Sequence, residues 1–275
     1  MKLSQRDLSA YHEQGFHFLP WYFTQQEIDI LKAELRSIFL KDTPNRIMEK
    51  DGVTVRSVYG THAENKLLER LVRLPRLLEP ALQIIGHNVY VHQFKVNCKA
   101  AFVGDVWEWH QDYIFWLKED GILNPYLLNI VIFLDEINEF NGPLLLIPGS
   151  HREDIIDVVG REHISSDASA NSAWISNLTA DLKYSLDQST VSRLVKKHGI
   201  VGPKGPAGSV LFFHPNLVHG SSPNMSPFDR SIIIITYNSV ENIPVPLKMR
   251  RPVFLASRDY QALAVLDYDV LQGNL

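Results

Sequence analysis

The sequence predicts a mainly β domain that carries its helices at the N-terminal end. Helical periodicity and capping signatures are concentrated in the first 87 residues. From Asn88 onward the apolar runs shorten to strand length and fill with β-branched and aromatic residues. A third feature is the segment 152–206, which interrupts the strands before they resume at 207. Seven or eight short antiparallel strands behind a helical layer fit a double-stranded β-helix, the jelly-roll or cupin-like arrangement.

Each element has its own signal. Ser4 to Gln14 reads as a short amphipathic helix ending at Gly15, followed by the apolar stretch Phe16 to Pro20. Thr24-Gln25-Gln26-Glu27 is a capping box, after which Ile28, Leu31, Leu35 and Phe39 recur at helical spacing. Thr43 to His62 is rich in charge and turn residues, so loop with short strands is expected there. Leu67 to Ile85 is a third helical region, interrupted by Pro75 and Pro80. Val89 to Asn97 then alternates in part, as a strand does. The strand containing Trp107 to Trp116 comes next, and Leu127 to Asp135 is apolar enough for a buried strand. Pro143 to His151 gives a strand and a sharp turn. Strands return at Gly208 to Phe213, Asn216 to His219 and Arg230 to Asn238. Inside the interruption, Asp154 to Val159 and Asp187 to Lys197 read as short helices, while Ser165 to Asn177 is small and polar. No repeat, low-complexity tract or linker divides the chain, so 1–275 reads as one domain. Within it, 1–87 is a helical layer, 88–151 and 207–240 are barrel strands, and 152–206 is an insertion suited to covering a site.

Composition is that of an ordinary globular protein: 45% hydrophobic and 21% charged residues, with a net charge of −4. Lys196-Lys197 and Arg250-Arg251 are too short to make a nucleic-acid face. Cys98 is the only cysteine, so an intrachain disulfide is excluded and a reducing compartment is expected. Met1 to Asp7 holds no apolar signal core, and no run reaches membrane-spanning length. These features point to a cytoplasmic protein, so the sequons at Asn177 and Asn224 carry no weight. Oligomeric state has no signal here.

The chemistry concentrates in Trp107-Glu-Trp-His-Gln-Asp-Tyr-Ile-Phe-Trp116. On a strand, residues two apart share a face, so His110 and Asp112 stand side by side, about 7 Å apart at Cα. One imidazole and one carboxylate are two-thirds of the facial triad that suits non-haem Fe(II) and leaves coordination positions open. Either His219 or His214 offers the distant third ligand, His214 ending the apolar run Val210 to Phe213. Arg230 follows, opening the strand Arg230 to Tyr237. Two neutral imidazoles and one carboxylate leave the dication net positive, able to hold an anionic co-substrate. 2-Oxoglutarate chelates through its 2-oxo group and C1 carboxylate, leaving room for O2. Its far carboxylate then wants an arginine fork. Taken singly, the His-x-Asp pair is an ordinary surface pair and Arg230 a strand-end charge. The combination, in this order on strand-like segments, is what points to a metal site.

Val89 to Asn97, Gly104 to Trp116 and Glu119-Asp120-Gly121 together resemble the phytanoyl-CoA dioxygenase superfamily. Within it the chain is most similar to the bacterial free L-proline trans-4-hydroxylases, cousins of the ectoine hydroxylases. Further matches are Glu49 to Gly52, Asn141 to Leu144, Pro148 to His151, His219 to Ser221, Asn224 to Pro227 and Arg251 to Asp259. The resemblance weakens across the insertion and the last fifteen residues. It implies an Fe(II) and 2-oxoglutarate dioxygenase with O2 as co-substrate and ascorbate as a stimulant. It further implies His110, Asp112 and His219 as iron ligands, which decides against His214. Arg230, assisted by Ser221, would pair with the far carboxylate of 2-oxoglutarate, and Asn97, Lys95 and Asn129 would line that co-substrate. Gln93, Trp116 and Tyr113 fall near the prime substrate, and strand parity also puts Trp116 beside His110 and Asp112. Arg258, then Arg251, are candidates for gripping a substrate carboxylate. Ectoine hydroxylases carry Ser and Phe where this chain has Gln111 and Tyr113, so the expected substrate is free L-proline, giving trans-4-hydroxy-L-proline, succinate and CO2. Ectoine or another amino acid is the alternative. Asp112 argues against halogenation, which needs a small residue there. A complete ligand set argues against a non-catalytic binding protein on the same fold.

Overall fold

Ser4 starts the first helix by accepting a hydrogen bond from the Asp7 amide, while the Asp7 carboxylate accepts from the Ser4 amide. This helix, α1 (Gln5–Gln14), ends at Gly15, whose φ of 79° is left-handed. A Cβ there would meet His151 Nδ1 at 2.4 Å, so only glycine fits. We describe residues 2–156, 158, 178, 182–268 and 271 of a computed structural model. The chain continues as β1 (Phe16–Leu19) and α2 (Gln25–Phe39), whose Thr24–Glu27 box forms as the sequence requires. Ile28, Leu31 and Leu35 are buried on one face of α2. β2 (Arg46–Met48) and β3 (Val55–Tyr59) follow, then α3 (Lys66–Leu71) and α4 (Pro75–Ile85).

The two prolines behave differently. Pro75 separates α3 from α4 and occupies the first turn, where a missing N–H costs nothing. Pro80 does not interrupt α4. It removes the donor that the Arg76 carbonyl would use, and the Tyr22 hydroxyl replaces it at 2.8 Å.

The remaining elements are β4 (Val89–Lys99), β5 (Trp107–His110), α5 (Asp112–Phe115), β6 (Leu127–Phe133), β7 (Leu144–Leu146), α6 (Gln188–His198), β8 (Val210–Phe213), β9 (His219–Ser221) and β10 (Arg230–Ser239). They form a seven-stranded sheet, β1-β8-β6-β10-β4-β3-β2, and a three-stranded sheet, β5-β9-β7, with antiparallel neighbours throughout. The first 87 residues are therefore not helical alone, since three of their segments extend the large sheet at both edges. One face of that sheet packs Phe94, Val96, Ile233 and Ile235 against the helices. The other turns Val131, Phe133, Ile232 and Ile234 towards Leu144 and Leu146 of the small sheet.

Three further expectations change. Asn216–Val218 is a turn, and the strand begins at His219. Asp154–Ile156 is irregular, with Asp154 at φ 56°, whereas α6 forms where expected and is capped by Asp187. The polar stretch 165–177 lies outside the described residues. None of the described helices is long and apolar enough to cross a membrane.

Candidate metal and co-substrate site

β5 and β9 are paired so that His110 and His219 are direct cross-strand partners, their ring centroids 4.2 Å apart. β5 ends at His110, Gln111 stays extended (φ −111°, ψ 134°), and Asp112 opens α5. That one extended residue preserves the two-residue parity inferred for His110 and Asp112. Gln111 itself points the other way, donating to Asp154 O (2.8 Å) and Asn216 O (2.7 Å) and accepting from the Ile156 amide. It pins the start of the insertion against the turn before β9.

One ligand atom from each of His110, Asp112 and His219 lies within 4.8 Å of the others, and all three residues are buried. Asp112 Oδ1 is 3.6 Å from His110 Nε2, and Oδ2 is 3.8 Å from His219 Nε2. Each imidazole places Nδ1 on a carbonyl two residues back, His110 on Glu108 O (2.6 Å) and His219 on Leu217 O (2.9 Å). This assigns the proton to Nδ1 and leaves both Nε2 lone pairs facing Asp112. Burial opposes ionisation of Asp112, but its charged surroundings, the Lys95 ammonium first among them, hold the carboxyl below its usual range. Burial and then His110 lower the pKa of His219 to about 4, which keeps it a neutral ligand. Two imidazole nitrogens and an ionised carboxylate converging in this way fit a divalent iron ion.

The cavity beside this triad is lined by Gln93, Lys95, Asn97, Trp116, Ser221 and Arg230, among others. Lys95 Nζ is 3.9 Å from Asp112 Oδ1. Ser221 Oγ and Asn97 Oδ1 are buried without a partner among the described residues, which marks them as free to meet a ligand. Arg230 is fully buried and donates through Nε (3.2 Å) and Nη2 (2.7 Å) to Gly142 O. Burial brings its pKa down to about 10, so it remains a cation. Lys99, its cross-strand partner, donates to Asp105 O (2.5 Å) and Ser222 O (2.6 Å). Burial and then Arg230 pull the Lys99 pKa down to about 6.

Other expectations move. Trp116 lines the cavity, but as the residue following α5 and not by strand parity. Its ring stands edge-on to His92 at 5.8 Å. Tyr113 is absent from the lining; its hydroxyl donates to Ile122 O (3.3 Å) within an apolar cluster. Asn129 is fully buried behind the triad and does not line the cavity; it donates to Asp112 Oδ2 at 2.8 Å. Arg258 lines a neighbouring pocket and donates to Arg251 O, whereas Arg251 reaches the site cavity. Arg251 is held by Asp120 through Nε (2.7 Å) and Nη2 (2.5 Å), and Asp120 also meets His92 Nε2 at 3.0 Å. Asp120, His92 and Thr236 escaped the sequence reading. Asp120 lies in the quoted Glu119-Asp120-Gly121 segment, while the other two sit in strands without a distinguishing neighbour.

Residues 11–232 match the phytanoyl-CoA dioxygenase (PhyH) family model. The chain is 38% identical over 265 residues to the L-proline trans-4-hydroxylase of Streptomyces griseoviridis, covering 95% of each protein. It is 36% identical to the ectoine dioxygenase of Bordetella bronchiseptica, over 96% of this chain and 86% of that one. Among solved structures, EctD from S. alaskensis with 2-oxoglutarate and 5-hydroxyectoine superposes with a TM-score of 0.81 at 30% identity, over 96% of this chain and 87% of that one. The same protein with bound Fe gives 0.80. With its His-Asp-His cluster in place between two antiparallel sheets, the chain belongs to the phytanoyl-CoA dioxygenase family.

Proposed function

We propose that this protein is an Fe(II)- and 2-oxoglutarate-dependent hydroxylase, on a double-stranded β-helix, that acts on a small free amino acid. L-Proline is the first candidate, giving trans-4-hydroxy-L-proline with succinate and CO2. The carrying observation is that one cavity is lined by the His110, Asp112, His219 set together with two buried arginines, Arg230 and Arg251. When bound, iron would supply the oxygen activation that couples decarboxylation of 2-oxoglutarate to hydroxylation of a C–H bond.

The protein's own contribution is orientation and charge. The two carbonyls behind His110 and His219 fix the ligand nitrogens. Arg230 and the unpartnered Ser221 hydroxyl receive the far carboxylate of 2-oxoglutarate, with Asn97 and Lys95 alongside. Arg251, pre-set by Asp120, takes the carboxylate of the amino acid, and Gln93, whose Nε2 is spent on Leu255 O at 2.7 Å, presents its carbonyl to the ammonium. Phe115 and Trp116 wall the ring. Leu178 and Leu182 of the insertion also face the cavity, in keeping with 152–206 acting as a cover that excludes water.

Ectoine, a cyclic amino-acid derivative, is the second reading, supported by the match to ectoine dioxygenases across most of the chain. The test is incubation of metal-free protein with Fe(II), ascorbate, 2-oxoglutarate and a panel containing L-proline and ectoine. Mass spectrometry follows succinate and any product one oxygen heavier. Succinate formed in step with hydroxyproline is the expected result. Succinate coupled to hydroxyectoine would replace the substrate, and no succinate with iron bound would overturn the enzyme reading.

A further inference from the structure

Asp112 differs from the two histidines in how it is held. Each imidazole is fixed by a carbonyl of its own segment, but Asp112 relies on side chains of the large sheet, on the face turned towards the triad. Its Oδ2 accepts a 2.8 Å hydrogen bond from Asn129 Nδ2 on β6. Its other contacts, to His110, His219 and Lys95, are 3.6 Å or longer. Asn129 in turn accepts a 2.7 Å bond at Oδ1 from the Thr236 hydroxyl on β10. Asn129 and Thr236 are direct cross-strand partners, and neither has exposed surface.

The order of these three groups has a chemical logic. A carboxamide presents either a donor or an acceptor end, and the acceptor end would repel an ionised carboxylate. A threonine hydroxyl can donate to the amide oxygen, and doing so turns the NH2 end towards Asp112. Preceding positions of β10 on the same face, Ile232 and Ile234, are apolar. Two polar side chains at that depth would cost stability if they were unpaired, and an apolar pair would fill the same space. Their presence is explained by what they hold.

We infer that Thr236 and Asn129 form a relay that fixes the rotation of the Asp112 carboxylate in its metal-binding orientation, both being positioning residues. The relay rests on the metal reading of the triad, and it assigns Asn129 to the ligand and not to the co-substrate. It also leaves Oδ1, not Oδ2, as the oxygen free of a protein donor at hydrogen-bonding distance.

The test is Mn(II) binding to metal-free protein, read from the free-ion EPR signal, with no turnover involved. Thr236→Val keeps the volume but loses the hydroxyl, and is expected to weaken Mn(II) binding about tenfold, as outer-sphere partners of metal ligands do. Thr236→Ala should lose a similar factor, while Thr236→Ser, which keeps the donor, should bind within about twofold of the parent. In an Asn129→Leu background, Thr236→Val should add no further loss, because the relay is already cut. If Thr236→Val does not fold, the Ala and Ser variants and their counterparts in the Asn129→Leu background decide. A Val variant that binds like the parent, or a Ser variant that loses as much as Ala, would make the role one of packing and overturn the relay. An additional loss in the Asn129→Leu background would overturn it too. A parent protein that does not bind Mn(II) would instead overturn the metal reading itself.

Discussion

Replacing Arg230 by alanine tests the co-substrate assignment most directly. The guanidinium is fully buried, remains cationic with a pKa of about 10, and spends Nε and Nη2 on a single carbonyl, Gly142 O. The rest of its fork is available to a carboxylate in the cavity that Ser221 also lines. A hydrogen bond to a charged group contributes roughly 1.5–3 kcal/mol, so losing two removes at least about 3 kcal/mol. At about 1.4 kcal/mol per factor of ten, that is a rise of a hundredfold or more in KM for 2-oxoglutarate. The same substitution leaves Gly142 O unpaired, costing about 1–3 kcal/mol of stability, so the melting temperature must be measured alongside. The assay is succinate formation against 2-oxoglutarate at saturating amino acid, then against amino acid at saturating 2-oxoglutarate. The amino-acid KM should stay within about threefold, since a remote contact adds little coupling. Arg230→Lys should fall between, keeping charge without the planar fork. A folded Arg230→Ala protein with an unchanged KM for 2-oxoglutarate, or with the loss appearing in the amino-acid KM, would refute the assignment.

Asp112→Ala should abolish turnover and weaken Mn(II) binding by more than about a hundredfold, because even outer partners of a ligand cost 10–100-fold; normal activity would sink the metal site. Arg251→Leu removes the cation paired with the buried Asp120 carboxylate, leaving it His92, and should cost about 3–5 kcal/mol of stability. Adding Asp120→Leu should recover the melting temperature but not the amino-acid KM, while Arg258→Leu should leave that KM alone; recovery of both in the double variant would show Arg251 to be structural. His214 is held neutral, its pKa lowered to about 3 by burial and then by His151 and His12. Its folded pKa lies below the unfolded value of 6.5, so the stability it contributes is complete above 6.5 and is lost as pH falls towards 3. By pH 5 the loss is about 2 kcal/mol, which His214→Gln should remove; thermal melts of the two proteins that fall in parallel between pH 7 and 5 would contradict it.

Two members of the triad are legible because their signal is local: His110 and Asp112 are two apart, and a single extended residue between them preserves their shared direction, whereas His219 is separated from His214 only by the family resemblance. The failures share a different cause. Trp116 lines the cavity as the resemblance implies, but the strand parity that also puts it there fails, because aromatic residues populate strands and buried helical turns alike and Asp112 starts a turn. Ranking Arg251 above Arg258, as the proposed function does, needs knowledge of Asp120, 131 residues from Arg251 in the chain, which no spacing rule supplies. Pro80 reads as a break because sequence shows the lost donor but not Tyr22, which replaces it on the Arg76 carbonyl from 54 residues before Arg76. Asn129 and Thr236 each look like a polar residue lost in an apolar strand until the β6–β10 register sets them opposite one another.

β4 shows how a partial pattern can be more informative than a regular one. Val89 and Val91 face the helical core, as do Phe94, Val96 and Cys98, so the odd positions give way to even ones after Val91. The register explains the change: Thr236 pairs with Gln93 and Tyr237 with Val91, leaving His92 as the extra residue of a bulge. One inserted residue shifts every later side chain to the opposite face. Gln93, Lys95 and Asn97 therefore line the cavity, while His92, at the bulge, meets Asp120 and through it Arg251. Without the bulge, Phe94 and Val96 would stand beside the triad, and the cationic and amide groups would be driven into the apolar core. A single irregularity in one strand thus supplies the cavity wall next to the triad and the support for the arginine across from it. Deleting His92 should therefore raise the KM for 2-oxoglutarate and for the amino acid together, whereas His92→Ala, which keeps the register, should spare the former; an unchanged 2-oxoglutarate KM in a folded deletion variant would contradict the argument.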